Sequence, residues 1–508
     1  MRHCREEAPP LFVAAMSTRK KIALALLVII LLLVGIGWWL VRGNRAELSL
    51  DQVTGTDPVI SQTREETFPT VGVAKPIGWA DGAKPQAAQG LVVNRFAEGL
   101  DHPRIIYTLP NGDVLVAQAN RPETPEGEGD EGGLFEKVAG WVQGILFKRA
   151  GAAVPSPDSL VLLRDADGNG MAEERHLLRD DLASPGGMVW RDGRLYVANH
   201  NAVLRFDYQL GADVLTGEPV KLMDLPGGGN HWMRNIVLNE DGTRLYVTVG
   251  SASNIAEKGI EIEEGRAAIH ELDLVSGSSR IWGAGLRNPN GLAWNPWSGE
   301  LWTTVNERDM LGGDLVPDYL TNVPIGVNYG WPWVYWNEEI DERVEAPMPQ
   351  FLTQYTRTPE YALGPHVAAL GLAFTQGGTR LGPNFQQGAF IARHGSWNRK
   401  PLVGYDVVYV PFDARGNPQG KPVPVLLPFL QDQDTTRGRP TWVAFDRTGA
   451  LLVSDDTANI IWRVVAPDAQ PAPAPTRNTG PALPPVRELT GDPRRAFENP
   501  PADIRPGV

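Results

Sequence analysis

The sequence predicts an all-β fold, a six-bladed β-propeller, behind an N-terminal transmembrane helix. One observation outweighs the others. A short apolar strand, a polar turn with glycine and a second strand rich in Leu, Tyr, Trp and Val recur six times: YTLPNGDVLVA from Tyr107, MVWRDGRLYVA from Met188, IVLNEDGTRLYVT from Ile236, LAWNPWSGELWTT from Leu292, LAFTQGGTRL from Leu372 and VAFDRTGALLVS from Val443. Each copy has the alternation and turn chemistry of a β-hairpin. The second observation is compositional: 55 Gly against 8 Met favours tight turns over helices. The third is a single uncharged apolar run near the start of the chain.

That run, residues 22–41, reads IALALLVIILLLVGIGWWLV and at 1.5 Å per residue reaches about 30 Å, the thickness of a bilayer core. Arg19, Lys20 and Lys21 precede it, and Trp38 and Trp39 lie at its far end. By the positive-inside rule residues 1–21 are then cytoplasmic, and the remaining chain faces the periplasm or cell exterior. A cleavable signal peptide is the competing reading, but its apolar core is about 7–15 residues followed by small residues, which Trp-Trp-Leu-Val-Arg is not. Met16 is an alternative start.

Residues 42–90 are polar and turn-rich without sustained periodicity, which predicts a linker. The propeller is predicted over 91–465. Its turn glycines, Gly112, Gly193, Gly242, Gly299, Gly378 and Gly449, are spaced by 81, 49, 57, 79 and 71 residues. Four-stranded blades need about 40–50 residues, so the longer intervals hold insertions. A β-sandwich is the alternative, with no reason for six alike hairpins. The largest insertion, 123–155, contains LFEKVAGWVQGILFKR, whose Phe135, Val138, Trp141, Val142, Ile145 and Leu146 share one helical face. It packs on the propeller or lies on a membrane surface. Residues 466–508 alternate Pro with Ala and small polar residues and predict an extended tail.

The net charge of −13 excludes the basic footprint that nucleic-acid binding needs. The lone cysteine, Cys4, precedes the apolar run, so neither an intrachain disulfide nor a paired-thiol zinc site is available. Ligands of a propeller bind where strand-connecting loops converge on its central funnel. The candidates there are GGGNHWMRN from Gly227, GLRNPNGLAW from Gly285, NERD from Asn306, NYGWP from Asn328, HGSWNRK from His394 and RGRP from Arg437.

In this order, on six repeats, these motifs resemble the quinoprotein sugar dehydrogenases that use pyrroloquinoline quinone, especially the sorbosone and pyranose dehydrogenase branch. The resemblance implies oxidation of a sugar, sugar aldehyde or polyol, with the quinone and calcium (Ca2+) at the funnel mouth. It implies His231 as the base and Arg287, Asn288 and Asn290 at the cofactor; Arg287 is also expected to act in catalysis, and His394 is a further cofactor-binding candidate. The quinone's three carboxylates call for paired cationic hydrogen bonds, which Arg287, Arg399, Arg437 and Arg439 can supply. An imidazole suits removal of a hydroxyl proton at neutral pH. Calcium is expected on backbone carbonyls of Glu307, Arg308 and Asp309, although the chain reads NERD where glucose-oxidising relatives have a Gly-Pro loop. Electrons are expected to pass to a respiratory quinone or cytochrome.

Asp165, Asp167 and Asn169 open like an EF-hand loop, but position 12 is His176 and the bidentate carboxylate is missing. His366 is a further candidate for the funnel wall. Two rival functions remain open on sequence: a calcium-dependent propeller lactonase using carboxylate ligands, and a non-catalytic binding or scaffold propeller.

Overall fold

The protein is described by a computed structural model over residues 18–41, 45–66, 69–122, 144–146, 148–336 and 338–477. Six antiparallel sheets follow one another along the chain. The first blade is Pro103–Thr108, Val114–Gln118, Ser159–Arg164 and Glu174–Arg179, hydrogen-bonded in that order. The next three have innermost strands Met188–Arg191, Ile236–Leu238 and Pro289–Trp294 and outermost strands Val220–Asp224, Ser279–Ala284 and Tyr361–Pro365. The fifth runs outward from Ala369–Phe374 to Val423–Leu427, and the sixth begins at Pro440–Phe445. All six turn glycines lie between the first and second strands of a blade with positive φ, from 73° at Gly242 to 101° at Gly112. The repeats were legible because that turn needs a residue without a Cβ.

Second strands sit between other strands and so are buried along their whole length, as in Val114–Gln118, Leu301–Val305 and Leu451–Asp455. Aromatic residues fill the wedges between blades. Tyr246 of the third blade lies edge-on between Trp282 and Trp294, at 5.0 and 5.3 Å. The ring closes by pairing distant parts of the chain: Val92–Glu98 is the outermost strand of the sixth blade, antiparallel to Ile460–Val465.

Because the strands alternate in direction, the start of every innermost strand and the end of every second strand fall on one face. The loops there carry His231, Arg287, Glu307–Asp309, His394 and Arg439. This face is the mouth of the propeller.

The linker expected over 42–90 is corrected by the structure: from Ala46 onward it is a strap bound to the propeller. The Ala46 N–H donates to the Lys400 carbonyl at 2.8 Å, and those of Glu47 and Leu48 to Asp314 Oδ2 at 2.6 and 3.3 Å. Gly55 and Ala362 exchange two 2.9 Å hydrogen bonds at the edge of the fourth blade. Lys75–Pro76 pairs parallel with Thr435–Thr436, and Gln86–Ala87 adds a fifth strand to the fifth blade. Trp79 packs edge-on against Phe429 and Trp462 at 5.5 and 5.3 Å.

The tail also lies on the propeller as far as it is described. Gly378 and Thr379 bracket Ala472 with two 2.8 Å backbone bonds, and Arg477 reaches Glu240 at 3.3 Å, on the face opposite the mouth. Of the insertion expected at 123–155, residues 123–143 and 147 lie outside the described residues; 144–146 and 148–149 are helical. Thr18–Val41 is one helix of 24 residues. Among the described residues no helix is long and apolar enough to cross a membrane.

Candidate functional site

A cavity of about 210 Å³ opens at the mouth between the first, third, fifth and sixth blades. Arg104, Arg121, Trp232, His394, Arg439 and Asp456 line it. Each comes from the predicted kind of position: Arg104 is the second residue of an innermost strand, and Asp456 directly follows a second strand. Asp456 is buried and accepts hydrogen bonds through Oδ2 from Arg104 and from His394 Nε2, the latter at 2.8 Å. Burial alone would raise its pKa, but the facing His394 and Arg104 outweigh it and hold the carboxyl well below the usual range. Burial, with Arg439 beside it, pushes His394 down to about 3, so at neutral pH this ring is an uncharged donor to Asp456.

The cavity carries more positive charge than negative. Arg439 donates to the carbonyls of His394 and Gly395 at 3.0 and 3.2 Å and stacks on Tyr405. Arg121 donates to the Gly229 carbonyl and Asn230 Oδ1 at 3.2 and 3.4 Å. Among the described residues neither guanidinium has a carboxylate partner. A partly buried cation without a counter-charge is costly to the protein alone and suited to an anionic ligand. Arg104 also lies 5.5 Å over the Trp232 ring, which holds that indole at the cavity wall.

His231 lies between the lining residues Asn230 and Trp232. Its Nδ1 is 2.8 Å from the Ser251 carbonyl oxygen and 3.0 Å from Ser251 Oγ, whose own proton goes to Ser253 O at 2.7 Å. Both oxygens therefore accept, Nδ1 carries the hydrogen, and Nε2 presents its lone pair. Burial, followed by the Arg287 charge, pushes this imidazole down to about 3. Gly250 sets its distance from Asn288: a Cβ there would fall 2.6 Å from His231 Cβ and 2.4 Å from Asn288 Oδ1.

Arg287 is buried with every donor engaged. It bonds Asn254 O and Oδ1 at 3.1 and 2.8 Å, Asn306 O and Glu307 O at 3.3 and 2.6 Å, and Asp309 Oδ2 at 3.0 Å. Its planar fork thus joins the two loops beside His231. The other Asp309 oxygen pairs with His366 Nδ1 at 3.1 Å, and His366 is raised above its ordinary pKa because the Asp309 hydrogen bond and charge outweigh burial. Asn290 Nδ2 donates to Asn288 O at 2.9 Å, while its buried Oδ1 has no hydrogen-bond partner among the described residues.

The structure therefore brings His394 and Arg439 to the cavity, and groups His231, Arg287, Asn288, Asn290, Asp309 and His366 beside it. Other expected positions lie elsewhere. Arg399 is buried against Asp314 at 2.9 Å and also donates to Leu48 O at 3.1 Å, so it fastens the strap and does not line the cavity. Arg437 stacks on Trp79 at 5.5 Å, away from the cavity. Arg308 is fully buried, bonding Glu307 Oε2, Pro332 O and Val334 O at 3.0, 2.5 and 2.8 Å. The carbonyls of Glu307 and Asp309, expected to face calcium, instead accept from Arg287 at 2.6 Å and from Arg343 at 3.0 Å. Two of the three proposed ligand carbonyls thus face guanidinium groups.

Among the described residues, one group of three acidic side chains has metal-like spacing: Asp165, Asp167 and Glu173, in the outer hairpin of the first blade on the face opposite the mouth. Asn169 Nδ2 donates to both Asp167 and Glu173, at 3.0 and 2.9 Å.

Sequence reasoning missed Arg104, Arg121 and Asp456. The signal was present in the repeat itself, since aligning the six hairpins places Arg104 at the start of an inner strand and Asp456 at the end of a second one.

The mouth of this closed propeller thus gathers around one cavity two guanidinium groups, Arg121 and Arg439, that have no carboxylate partner among the described residues, an arrangement whose charge suits a small anionic molecule. Residues 192–398 match the family described as Glucose / Sorbosone dehydrogenase, and residues 350–466 match one described as TrAA12-like. The chain thus resembles the quinoprotein sugar dehydrogenases, as its motifs imply. It is 26% identical over 374 residues to the pyrroloquinoline quinone-dependent pyranose dehydrogenase of Coprinopsis cinerea, covering 60% of this chain and 50% of that one. A 59-residue stretch is 48% identical to an aldose sugar dehydrogenase of Escherichia coli, covering 11% of this chain and 14% of that one. An uncharacterized protein of Borreliella burgdorferi is 28% identical over 235 residues, covering 46% and 60%. The chain thus spans at most 60% of the length of these curated relatives. In fold it is similar to a Trichoderma reesei enzyme of carbohydrate-active family AA12, with TM-score 0.60, 20% identity and 78% and 98% coverage. The holo pyrroloquinoline quinone domain of the Coprinopsis cinerea enzyme gives TM-score 0.58, 20% identity and 77% and 100% coverage.

Proposed function

We propose that this chain is a membrane-anchored quinoprotein dehydrogenase. It oxidises a sugar, sugar aldehyde or polyol with pyrroloquinoline quinone and passes the electrons to a respiratory acceptor. The observation that carries the reading is the pairing, at one mouth, of a cavity rich in guanidinium groups with an imidazole whose Nε2 is free to take a proton. The cavity fits the group: among the described residues Arg121 and Arg439 lack carboxylate partners, and they match a tricarboxylate. These two arginines and Arg104 would hold it against Trp232.

When bound, the quinone supplies an acceptor for the hydride leaving the substrate carbon. His231 Nε2 takes the substrate hydroxyl proton, and the Ser251 carbonyl stabilises the imidazolium through Nδ1–H. Arg287 positions the loops around that ring and opposes its protonation, so an anion brought into the cavity makes His231 a stronger base. Calcium is consistent with the relatives, one of which is a calcium structure from Trichoderma reesei. The carbonyls at Glu307 and Asp309 are occupied by arginine donors, and no step is derived through the ion.

We propose residues 22–41 as the anchor in the cytoplasmic membrane on the sequence alone, from their uncharged apolar run and the basic residues before it, with the propeller outside. The test is dye reduction by the full chain in detergent, with pyrroloquinoline quinone and calcium, across aldoses, pentoses, polyols and sorbosone. Saturable quinone binding with turnover of at least one substrate is expected. No saturable binding at any calcium concentration overturns the dehydrogenase.

A further inference from the structure

The chain enters the propeller at the mouth. The strap's first described bonds, Ala46 N–H to the Lys400 carbonyl and Glu47 and Leu48 N–H to Asp314, are made to loops that end second strands of the fifth and fourth blades. Those loops belong to the mouth, and Ala46 also lies against Gly313 in the same loop as Asp314. Helix Thr18–Val41 ends five residues earlier. At most ~3.6 Å per residue, five residues of chain span about 18 Å. Blade strands of six residues add roughly 20 Å between the mouth and the opposite face.

We infer that the mouth, not the opposite face, lies against the bilayer, with its rim at the fourth and fifth blades held within about 18 Å of the headgroups. The partner of this surface is the lipid headgroup layer. The inference rests on the anchor reading in the preceding section but not on the dehydrogenase reading. A folded domain of about 100 residues has a radius of gyration near 13 Å and so is more than about 26 Å across, too wide for a gap of about 18 Å at the anchored rim. Small molecules fit there, whether they come from the aqueous phase or from the lipid.

The test uses the full chain in lipid nanodiscs with Cys4→Ser, which removes the one native cysteine. Single cysteines are then placed at exposed positions on each face. Asn201→Cys and Lys258→Cys lie in mouth loops, and Asp241→Cys lies in a hairpin turn of the opposite face. Each is labelled with a fluorophore and exposed to lipids carrying a headgroup quencher. The mouth labels are expected to be quenched at least threefold more than the Asp241→Cys label. Equal quenching, or stronger quenching at Asp241→Cys, overturns the orientation. Flotation of the same chain with vesicles is the companion measurement. A chain that stays in the aqueous fraction overturns the anchor and the orientation together while leaving the dehydrogenase reading standing.

Discussion

His231 Nδ1 lies 2.8 Å from the carbonyl oxygen of Ser251, an atom that can only accept. The imidazole is therefore set by the backbone in the tautomer that leaves Nε2 unprotonated, as its proposed role of base requires. His231→Ala is expected to lower the turnover number by about 10²–10⁴ while quinone binding survives, because the ring is a proton acceptor and not a lining group of the cavity. Stopped-flow dye reduction alongside a quinone binding curve checks this. Loss of binding with unchanged turnover at saturation would remove His231 from the chemistry.

The same ring gives a pH prediction. Its folded pKa, pushed down to about 3 by burial and Arg287, lies below its ordinary value near 6.5. The stability it contributes is present above pH ~6.5 and is lost as pH falls toward 3. Nitrogen NMR of the quinone-free protein should show His231 neutral at pH 5, and titration near 6.5 would contradict the burial argument.

Arg121 and Arg399 separate binding from folding. Among the described residues Arg121 bonds only a carbonyl and an amide oxygen, so Arg121→Ala should weaken quinone binding at least tenfold, about 1.4 kcal/mol, with little change in melting temperature. Arg399 fastens Asp314 and the strap, so Arg399→Ala should speed proteolysis within residues 45–66 and leave the quinone affinity of folded protein within about twofold. Calorimetric titration and timed trypsin digestion read the two arms; the reverse pattern would return Arg399 to the cofactor.

Arg104→Met is expected to be far more damaging to stability than Arg121→Ala. It leaves the Asp456 carboxylate buried without its arginine partner, a change that typically costs about 3–5 kcal/mol. The double variant with Asp456→Asn should recover part of that loss in a denaturant melt. No recovery would mean the pair is not coupled.

Asp455 makes stability depend on pH in the opposite sense to His231. Burial raises its carboxyl to about 7, against the opposing hydrogen bonds from Arg439, Trp79 and Trp462. A folded pKa above the unfolded value near 3.9 means stability present at low pH and lost as pH rises through 7. Asp455→Asn should flatten the melting temperature between pH 5 and 8 relative to the parent, whatever its absolute effect.

The six hairpins were legible because each carries its own local signal, a glycine turn between alternating strands. His231, Arg287 and His394 were legible because their motifs stand beside those hairpins. The strap was not, since its bonds join residues hundreds of positions apart: Trp79 Nε1 reaches Asp455 Oδ2 at 3.0 Å, and Asn398 Nδ2 reaches Glu66 Oε2 at 3.1 Å. No periodicity records such a partner. For the same reason Arg399, next to the promising HGSWN, proved to face Asp314, and the carbonyls of Glu307 and Asp309 proved to be taken by arginines. Sequence placed these groups on the right face without showing which neighbour each would meet.

The strand Val92–Glu98 that completes the sixth blade leaves the ribosome long before its partner Ile460–Val465. At ~5–20 residues per second, roughly 20–70 s separate the two. For that interval the nascent chain carries an open strand edge, the kind that recruits other chains. Variants that weaken this last pairing should therefore show themselves as a lower yield during synthesis before they alter the finished protein.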